Sequence, residues 1–215
     1  MKHISPRPQP AAGNPKKPHP RAGEVRIIGG RFKRSKLTVP VASGLRPTGD
    51  RVRETLFNWL GQDLSGLRCF DAFAGSGALG FEAASRGAET VWMVERDRAA
   101  LQALTQNQAR LNVPGVRIVS GDAIALLSAQ RSAGWDVVFL DPPFGDKTIE
   151  SSENPLYLQA LQAAHGAIAA EGLVYLESAQ AWPESVLAQL GYQIHRAGKA
   201  GAVRFYLLAQ VPKLD

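Results

Sequence analysis

Two short stretches carry residue types suited to group transfer. The first is "DPPF", Asp141 to Phe144, which follows the apolar run "WDVVFL". Asp141, Pro142, Pro143 and Phe144 together form a stiff corner, because consecutive prolines cannot continue a ladder and restrict the backbone on both sides. That corner suits one problem in particular, which is making an aromatic exocyclic amine nucleophilic. Such an amine is a poor nucleophile while its lone pair is delocalised into the ring. Two acceptors against its N–H bonds pull it toward tetrahedral geometry. The Asp141 carboxylate and the Pro142 carbonyl are the candidates, with Phe144 to stack on the base face. A base inside a duplex cannot reach such a corner, so the target would be unpaired or flipped out. The plain alternative is a strand-ending turn.

The second stretch is "FDAFAGSGALG", in which Gly75 to Gly80 reads G-x-G-x-x-G. After a strand and before a helix, that pattern binds dinucleotides. Glu95 ends the next apolar run, about 20 residues on, where an acid can take ribose hydroxyls. NAD and S-adenosylmethionine both fit so far. Asp71, at the strand end beside the loop, would oppose a pyrophosphate but favour a sulfonium and an ammonium. Phe73 and Ala74 also separate Asp71 from Gly75, so the glycines need not sit where a pyrophosphate requires them. Both features favour S-adenosylmethionine over NAD; a glycine-rich turn without ligand is the remaining alternative. Asp122, in "GDA", either accepts from an adenine amino group or caps the next helix. His3, His19, His165 and His195 are scattered and make no metal-ligand cluster.

These residues need a scaffold that brings strand ends together. Residues 1–23 are rich in Pro, Lys and Arg with little to bury, and are expected to be a disordered tail. Residues 24–45 are expected to form a basic β-hairpin, with Val25 to Ile28 and Phe32 to Val39 as strands and Gly29-Gly30 as the turn. Residues 46–215 are expected to be one domain. Its first helix, capped by Thr48 or Asp50, has Val52, Leu56, Trp59 and Leu60 on one face and Arg51 and Arg53 mostly outside that stripe. Apolar strands then alternate with helices: "LRCFDAF", Ala78 to Ser85, "TVWMVE", Asp97 to Leu111, "VRIVSGD", Ala123 to Ala129, "WDVVFL", Leu156 to Ala169, "GLVYLES" and Pro183 to Leu190. A closing hairpin ends the chain. The pattern predicts a mainly parallel sheet covered by helices on both faces.

Charge is divided unevenly. Residues 1–53 hold 13 Lys/Arg against 2 Asp/Glu, a net of +11, whereas residues 54–215 hold 12 against 17, a net of −5. A basic front on a mildly acidic body points to a polyanion at one end. No apolar run reaches the ~20 residues of a membrane helix, and the proline-rich start is unlike a secretory signal. The single Cys69 reads as core filler. These features suggest a cytoplasmic protein with no membrane partner.

The motifs also have a family likeness. "RIIGG", "LRPTGDRVRETLFNWL", "FAGSGALG", "VER" and "DPPF" occur here in the order seen in the bacterial RsmD family, which the chain resembles from Arg26 to about Ala209. "DPPF" alone is shared by several amino-methyltransferase families, whereas the "LRPTGDRVRETLFNWL" stretch is far more specific. The resemblance implies a Rossmann-like fold with a seven-stranded sheet and a C-terminal antiparallel hairpin. It implies methylation of the N2 amine of a guanine in small-subunit (16S) ribosomal RNA, with S-adenosylmethionine as donor. The substrate would be that RNA in a small ribosomal subunit or an assembly intermediate, and the protein a monomer. Asp71, Phe73, Gly75, Ser76, Gly77, Glu95, Arg96, Asp122 and Ala123 would line the donor pocket, which Arg46 and Thr48 would help close. Asp141 to Phe144 would hold the amine. Arg26, Arg31, Lys33, Arg34, Lys36, Arg51 and Arg53 would grip phosphates. The competing expectations are an amino-methyltransferase for adenine or cytosine and a non-catalytic RNA-binding assembly factor.

Overall fold

The computed structural model describes residues 23–39, 49–143 and 152–211. In chain order these form β1 (Gly23–Arg26), β2 (Lys36–Val39), α1 (Asp50–Trp59), β3 (Arg68–Asp71), α2 (Ala78–Ser85), β4 (Thr90–Glu95), α3 (Arg98–Leu111), β5 (Val116–Ser120), α4 (Ala123–Ser128), β6 (Trp135–Leu140), α5 (Pro155–Ala167), β7 (Ile168–Ser178), α6 (Glu184–Gln189), β8 (Tyr192–Ala200) and β9 (Val203–Gln210). The large sheet has the order β5-β4-β3-β6-β7-β9-β8. Its first five strands run parallel, and β9 joins β7 and β8 antiparallel. The fold is therefore the expected α/β one, Rossmann-like, with the C-terminal antiparallel hairpin.

The middles of the central strands are apolar because both of their faces are covered. Cys69 and Phe70 of β3 and Val137 to Leu140 of β6 are all buried. On one side lie Leu56 and Phe57 of α1, Leu79 and Phe81 of α2 and Leu104 of α3. On the other lie Leu127 of α4, Leu161 of α5 and Leu187 of α6. Capping residues set the helix starts: Asp97 accepts from the Ala100 amide and Asn154 from the Leu156 amide. The chain adds β4 and β5 on one side of β3, then returns to place β6 on the other. The strand order thus reverses between β3 and β6, and an open α/β sheet forms its crevice at such a point.

The N-terminal hairpin differs from expectation. Its strands pair antiparallel from Gly23↔Val39 to Arg26↔Lys36, so the return strand begins at Lys36 rather than Phe32. Gly29-Gly30 does not make a two-residue turn. A Cβ on Gly30 would lie 1.9 Å from the Ser85 carbonyl oxygen, and its φ is +70°. The glycine pair therefore lets the loop lie against the last turn of α2. There the Arg31 amide donates to the Ser85 carbonyl at 2.7 Å, and the Phe32 amide to Ser85 Oγ at 2.9 Å. Asn107 of α3 clamps the other edge, accepting from the Thr38 amide at 3.1 Å and donating to its carbonyl at 3.0 Å. Val25, Ile27, Leu37 and Val39 enter the same core as α1, α2 and α3. The hairpin and the expected domain 46–215 thus share one apolar interior.

One buried ionic knot joins these parts. Glu82 of α2 is fully buried and accepts from the Ile28 and Gly29 amides at 2.8 and 2.7 Å. It also pairs with Arg53 at 3.4 Å and Arg86 at 2.9 Å. Arg53, expected to face phosphates, is buried; it reaches Asp50 at 2.6 Å and the Arg26 carbonyl at 2.9 Å. Gly49, not Thr48 or Asp50, is the N-cap of α1, and it makes no side-chain cap bond. Asp50 spends its carboxylate on Arg53 instead; Thr48 lies outside the described residues. Removing one partner of a buried ion pair leaves an uncompensated charge, at a cost of about 3–5 kcal/mol. Glu82→Ala is expected to lose stability on that scale in urea unfolding, whereas Glu24→Ala, which breaks only exposed pairs with Arg26 and Lys36, is expected to lose under about 1 kcal/mol.

Candidate active site

Consecutive strands of the parallel sheet finish in acids. Asp71 and Glu95 are the last residues of β3 and β4, Asp141 follows the last residue of β6, and Glu177 is the next-to-last residue of β7. Asp122 stands just beyond β5. Carboxyl ends of parallel strands share one edge, so this topology gathers the acids that sequence spacing scatters. The register is direct: Asp71 pairs with Phe139, and the Ala72 amide donates to the Phe139 carbonyl at 3.1 Å. Asp141 therefore emerges two residues further on, beside the start of the glycine loop.

That loop is laced to the same edge. The Ala74 amide donates to the Val94 carbonyl at 2.9 Å, and the Gly75 amide to Glu95 Oε2 at 2.8 Å. Gly77, with φ 76°, is the N-cap of α2. One turn later the Gly80 amide donates to Asp71 Oδ2 at 3.0 Å. A Cβ on Gly80 would lie 2.4 Å from Met93 Sδ, so the third glycine of the motif lets helix and strand approach closely. Ser76 is buried and Phe73 half-buried against the second core.

The electrostatics single out Asp71. It is 1% exposed, and its Oδ1 has no hydrogen-bond partner among the described residues. Burial pushes its carboxyl up to about 8, with the nearby Asp141 as the next cause and Glu95 adding to it. The Gly80 and Phe73 amides pull the other way without prevailing. A cation seated here would satisfy the stranded oxygen and favour the ionised form. Glu95 is better provided, since its Oε1 accepts from the Arg96 and Asp97 amides at 2.8 and 2.9 Å. Arg96 thus serves Glu95 through its backbone, and its side chain is exposed. Asp122 caps α4 through the Ala125 amide at 2.9 Å, and Ala123 beside it is buried.

Asp141 is half-buried, Pro142 buried and Pro143 exposed, while Phe144, like Arg46 and Thr48, lies outside the described residues. Two buried tyrosines sense Asp141. Burial and then the Asp141 and Glu177 carboxylates raise the Tyr157 hydroxyl, and burial with Glu177 and Asp141 raises that of Tyr175. The Tyr175 hydroxyl donates to Glu177 Oε2 at 2.8 Å. Glu177 escaped the sequence reading. Its signal was an acid closing the apolar run "GLVYLES", as Asp71 and Glu95 close theirs. Among the described residues no group of three or more His, Cys, Asp or Glu side chains could hold a metal ion.

Of the basic residues, Arg26, Arg31, Lys33, Arg34, Lys36 and Arg51 are exposed on or beside the hairpin. Arg53 is the exception described above. Its bond to the Arg26 carbonyl ties the first turn of α1 to that hairpin. Trp59 packs against Phe205, with ring centroids 5.2 Å apart, as core rather than as a base platform. Among the described residues no helix is long and apolar enough to cross a membrane.

Comparison with known proteins agrees with this geometry. The model of the family described as "Conserved hypothetical protein 95" matches residues 25–209. "Ribosomal RNA small subunit methyltransferase D" of Escherichia coli strain K12 is 43% identical over 195 residues, covering 89% of this chain and 93% of that protein. The solved structure of a candidate methyltransferase, yhhF, from Escherichia coli is 40% identical with a TM-score of 0.70, covering 87% of this chain and 98% of the other. A Thermus thermophilus 16S rRNA N2 G1207 methyltransferase (RsmC), solved with AdoMet and guanosine, is 22% identical with a TM-score of 0.66, covering 88% and 50%. That last likeness is one of fold.

The raised carboxyl of Asp71 makes stability depend on pH. Its ordinary value is 3.8 and its folded value about 8, so between these the folded state holds a proton that the unfolded chain has released. Stability therefore falls as pH rises across that window. Melting temperature measured from pH 5 to 8.5 without ligand is expected to fall more steeply for the wild type than for Asp71→Asn, in which the titration is removed. Parallel curves would refute the raised value.

Proposed function

The chain belongs to the family described as "Conserved hypothetical protein 95", and on that footing we propose that it is an S-adenosylmethionine-dependent methyltransferase of small-subunit ribosomal RNA whose target is the exocyclic N2 amine of a guanine. The observation that supports this reading most is the approach of Asp141 to the Asp71–glycine-loop edge at the switch point of the sheet. An amine held at the first could meet a methyl donor held at the second.

The donor fits the residues present. Asp71 has a stranded, buried oxygen that suits a cation, and Glu95 is held by three backbone amides at the place where a ribose would lie. Asp71, Phe73, Gly75, Ser76, Gly77, Glu95, Arg96, Asp122 and Ala123 would form that pocket, with Arg46 and Thr48 helping to close it. When bound, S-adenosylmethionine supplies an activated methyl group.

The chain's own residues do the rest. The Asp141 carboxylate and the Pro142 carbonyl accept from the two N–H bonds of the amine and turn its lone pair toward the donor. The Pro142-Pro143 corner keeps both acceptors in place, and Phe144 stacks on the base. Arg26, Arg31, Lys33, Arg34, Lys36 and Arg51 hold the phosphates and leave base recognition to the cleft. Arg53 acts indirectly, by anchoring the hairpin that displays them. The RNA is taken as part of a small ribosomal subunit or its assembly intermediate, by a monomer in the cytoplasm.

Incubation with labelled S-adenosylmethionine and small subunits lacking the mark, followed by nuclease digestion and mass mapping, is expected to yield N2-methylguanosine. N6-methyladenosine or N4-methylcytidine would transfer the activity to another base. Asp141→Ala should lower turnover by about 100-fold or more while donor binding persists. Near-normal turnover would sink the mechanism. Replacing Arg31, Lys33 and Arg34 together by Ala should weaken RNA binding and flatten the slope of log affinity against log salt by about 2 to 3.

A further inference from the structure

The basic front is not the chain's only cationic stretch. Residues 54–184 hold 8 Lys/Arg against 16 Asp/Glu, a net of −8, whereas residues 185–215 hold 4 against 1, a net of +3. Lys199 and Arg204 belong to this second stretch and stand directly opposite each other near the closed end of the β8–β9 hairpin. Arg204 is also opposite Ser178, the last residue of β7. The closed end therefore lies at the carboxyl edge of the sheet, on the side of β7 away from β6 and Asp141. With neighbouring strands ~4.8 Å apart, Arg204 is roughly 10 Å from the Asp141 corner.

Lys199 is exposed and Arg204 half-buried. Among the described residues neither side chain makes an ion pair or a hydrogen bond. Beyond Glu177 the described residues hold one acid, Glu184 at the start of α6, and it pairs with neither. Like charges directly opposite on neighbouring strands repel and cost stability. A lysine on an edge strand has a ready explanation, since it deters pairing with another sheet, and Lys199 is on the edge strand β8. Arg204 has no such explanation, because β9 is paired on both sides. A polyanion bridging the two would convert their repulsion into attraction. The N-terminal hairpin leaves this place open. α2 starts at the glycine loop, and eight residues of helix carry Ser85 roughly 12 Å from the carboxyl edge. The Arg31 amide is bonded there, so Arg31, Lys33 and Arg34 lie toward the opposite edge. A backbone gripped only at that loop would be unsupported beside the reacting base.

We propose that the closed end of the β8–β9 hairpin, through Lys199 and Arg204, is a second phosphate-binding surface that holds the RNA backbone flanking the target nucleotide. The proposal rests on the ribosomal RNA substrate argued above. It divides the work between two cationic surfaces. The N-terminal hairpin takes backbone remote from the chemistry, and the C-terminal hairpin takes backbone next to the extruded base. Phosphate contacts of this kind set position and carry no base preference of their own.

The test compares the full-length wild type with Lys199→Gln/Arg204→Gln, which keeps much of each side-chain stem while removing both charges. A charge-matched control, Arg117→Gln/Arg131→Gln, alters two exposed arginines outside both surfaces. Affinity for small subunits lacking the mark is measured as a function of salt, and the bound RNA is footprinted with hydroxyl radicals. The Lys199/Arg204 variant is expected to bind about tenfold more weakly and to flatten the slope of log affinity against log salt by about 1.5 to 2. It should lose backbone protection beside the mapped nucleotide, whereas replacing Arg31, Lys33 and Arg34 should lose protection elsewhere. The melting temperature of the free variant should hold or rise, because a repulsion is relieved; a marked fall would make the pair a stabilising contact and count against the proposal. A variant with wild-type slope and footprint overturns it. So does a control that weakens binding equally, since net charge alone would then explain the effect. A wild type that neither binds nor methylates small-subunit RNA would instead strike the proposed function, which separates the two failures.

Discussion

Everything at the active edge depends on holding several carboxylates close together at one end of the sheet. Asp71, Glu95, Asp141 and Glu177 close four neighbouring strands. Three of them are held differently. Glu95 accepts from three backbone amides, Glu177 from a tyrosine hydroxyl, and Asp71 from the Gly80 amide, with the Phe73 amide beside it. Burial, and then repulsion from Asp141 and Glu95, raises the Asp71 carboxyl to about 8. A site arranged this way favours positively charged ligands and disfavours a pyrophosphate. That is the physical reason why a G-x-G-x-x-G loop here suits a sulfonium donor rather than a dinucleotide.

The opposite charge is kept on the hairpin, and the two regions meet through α2. At the start of α2 lie Gly77 and the amide of Gly80 that anchors Asp71; toward its end lie Glu82, Ser85 and Arg86, which receive the hairpin loop. A single eight-residue helix therefore couples the orientation of the basic surface to that of the acidic cleft. Arg53 reinforces the link from α1. Its burial shows that a cation in a basic stretch can be structural even where its neighbours Arg51 and Lys36 are exposed.

Much of this was legible beforehand. The fold class followed from apolar strands alternating with helical segments. Local rules located α2 where it lies, from Ala78 to Ser85, and placed α3 from Asp97, which the structure makes its N-cap, to Leu111. They erred at the hairpin, because Gly29-Gly30 looks the same whether it turns a strand or permits contact with a helix. They misread Arg53 because periodicity assigns an arginine to the solvent side and cannot see a buried Glu82 twenty-nine residues away waiting for it.

By itself, then, the chain's order of residues determined the elements, the glycine loop, the Asp-Pro-Pro corner and the basic front, since each is written in neighbouring residues. Tertiary structure decided which distant groups meet. Only strand order and register bring Asp141 beside Asp71 and Glu177, and only helix packing turns Arg53 inward. The physical reason is range: propensities and caps act over a few residues, whereas burial and charge pairing act through space between residues that the sequence keeps far apart.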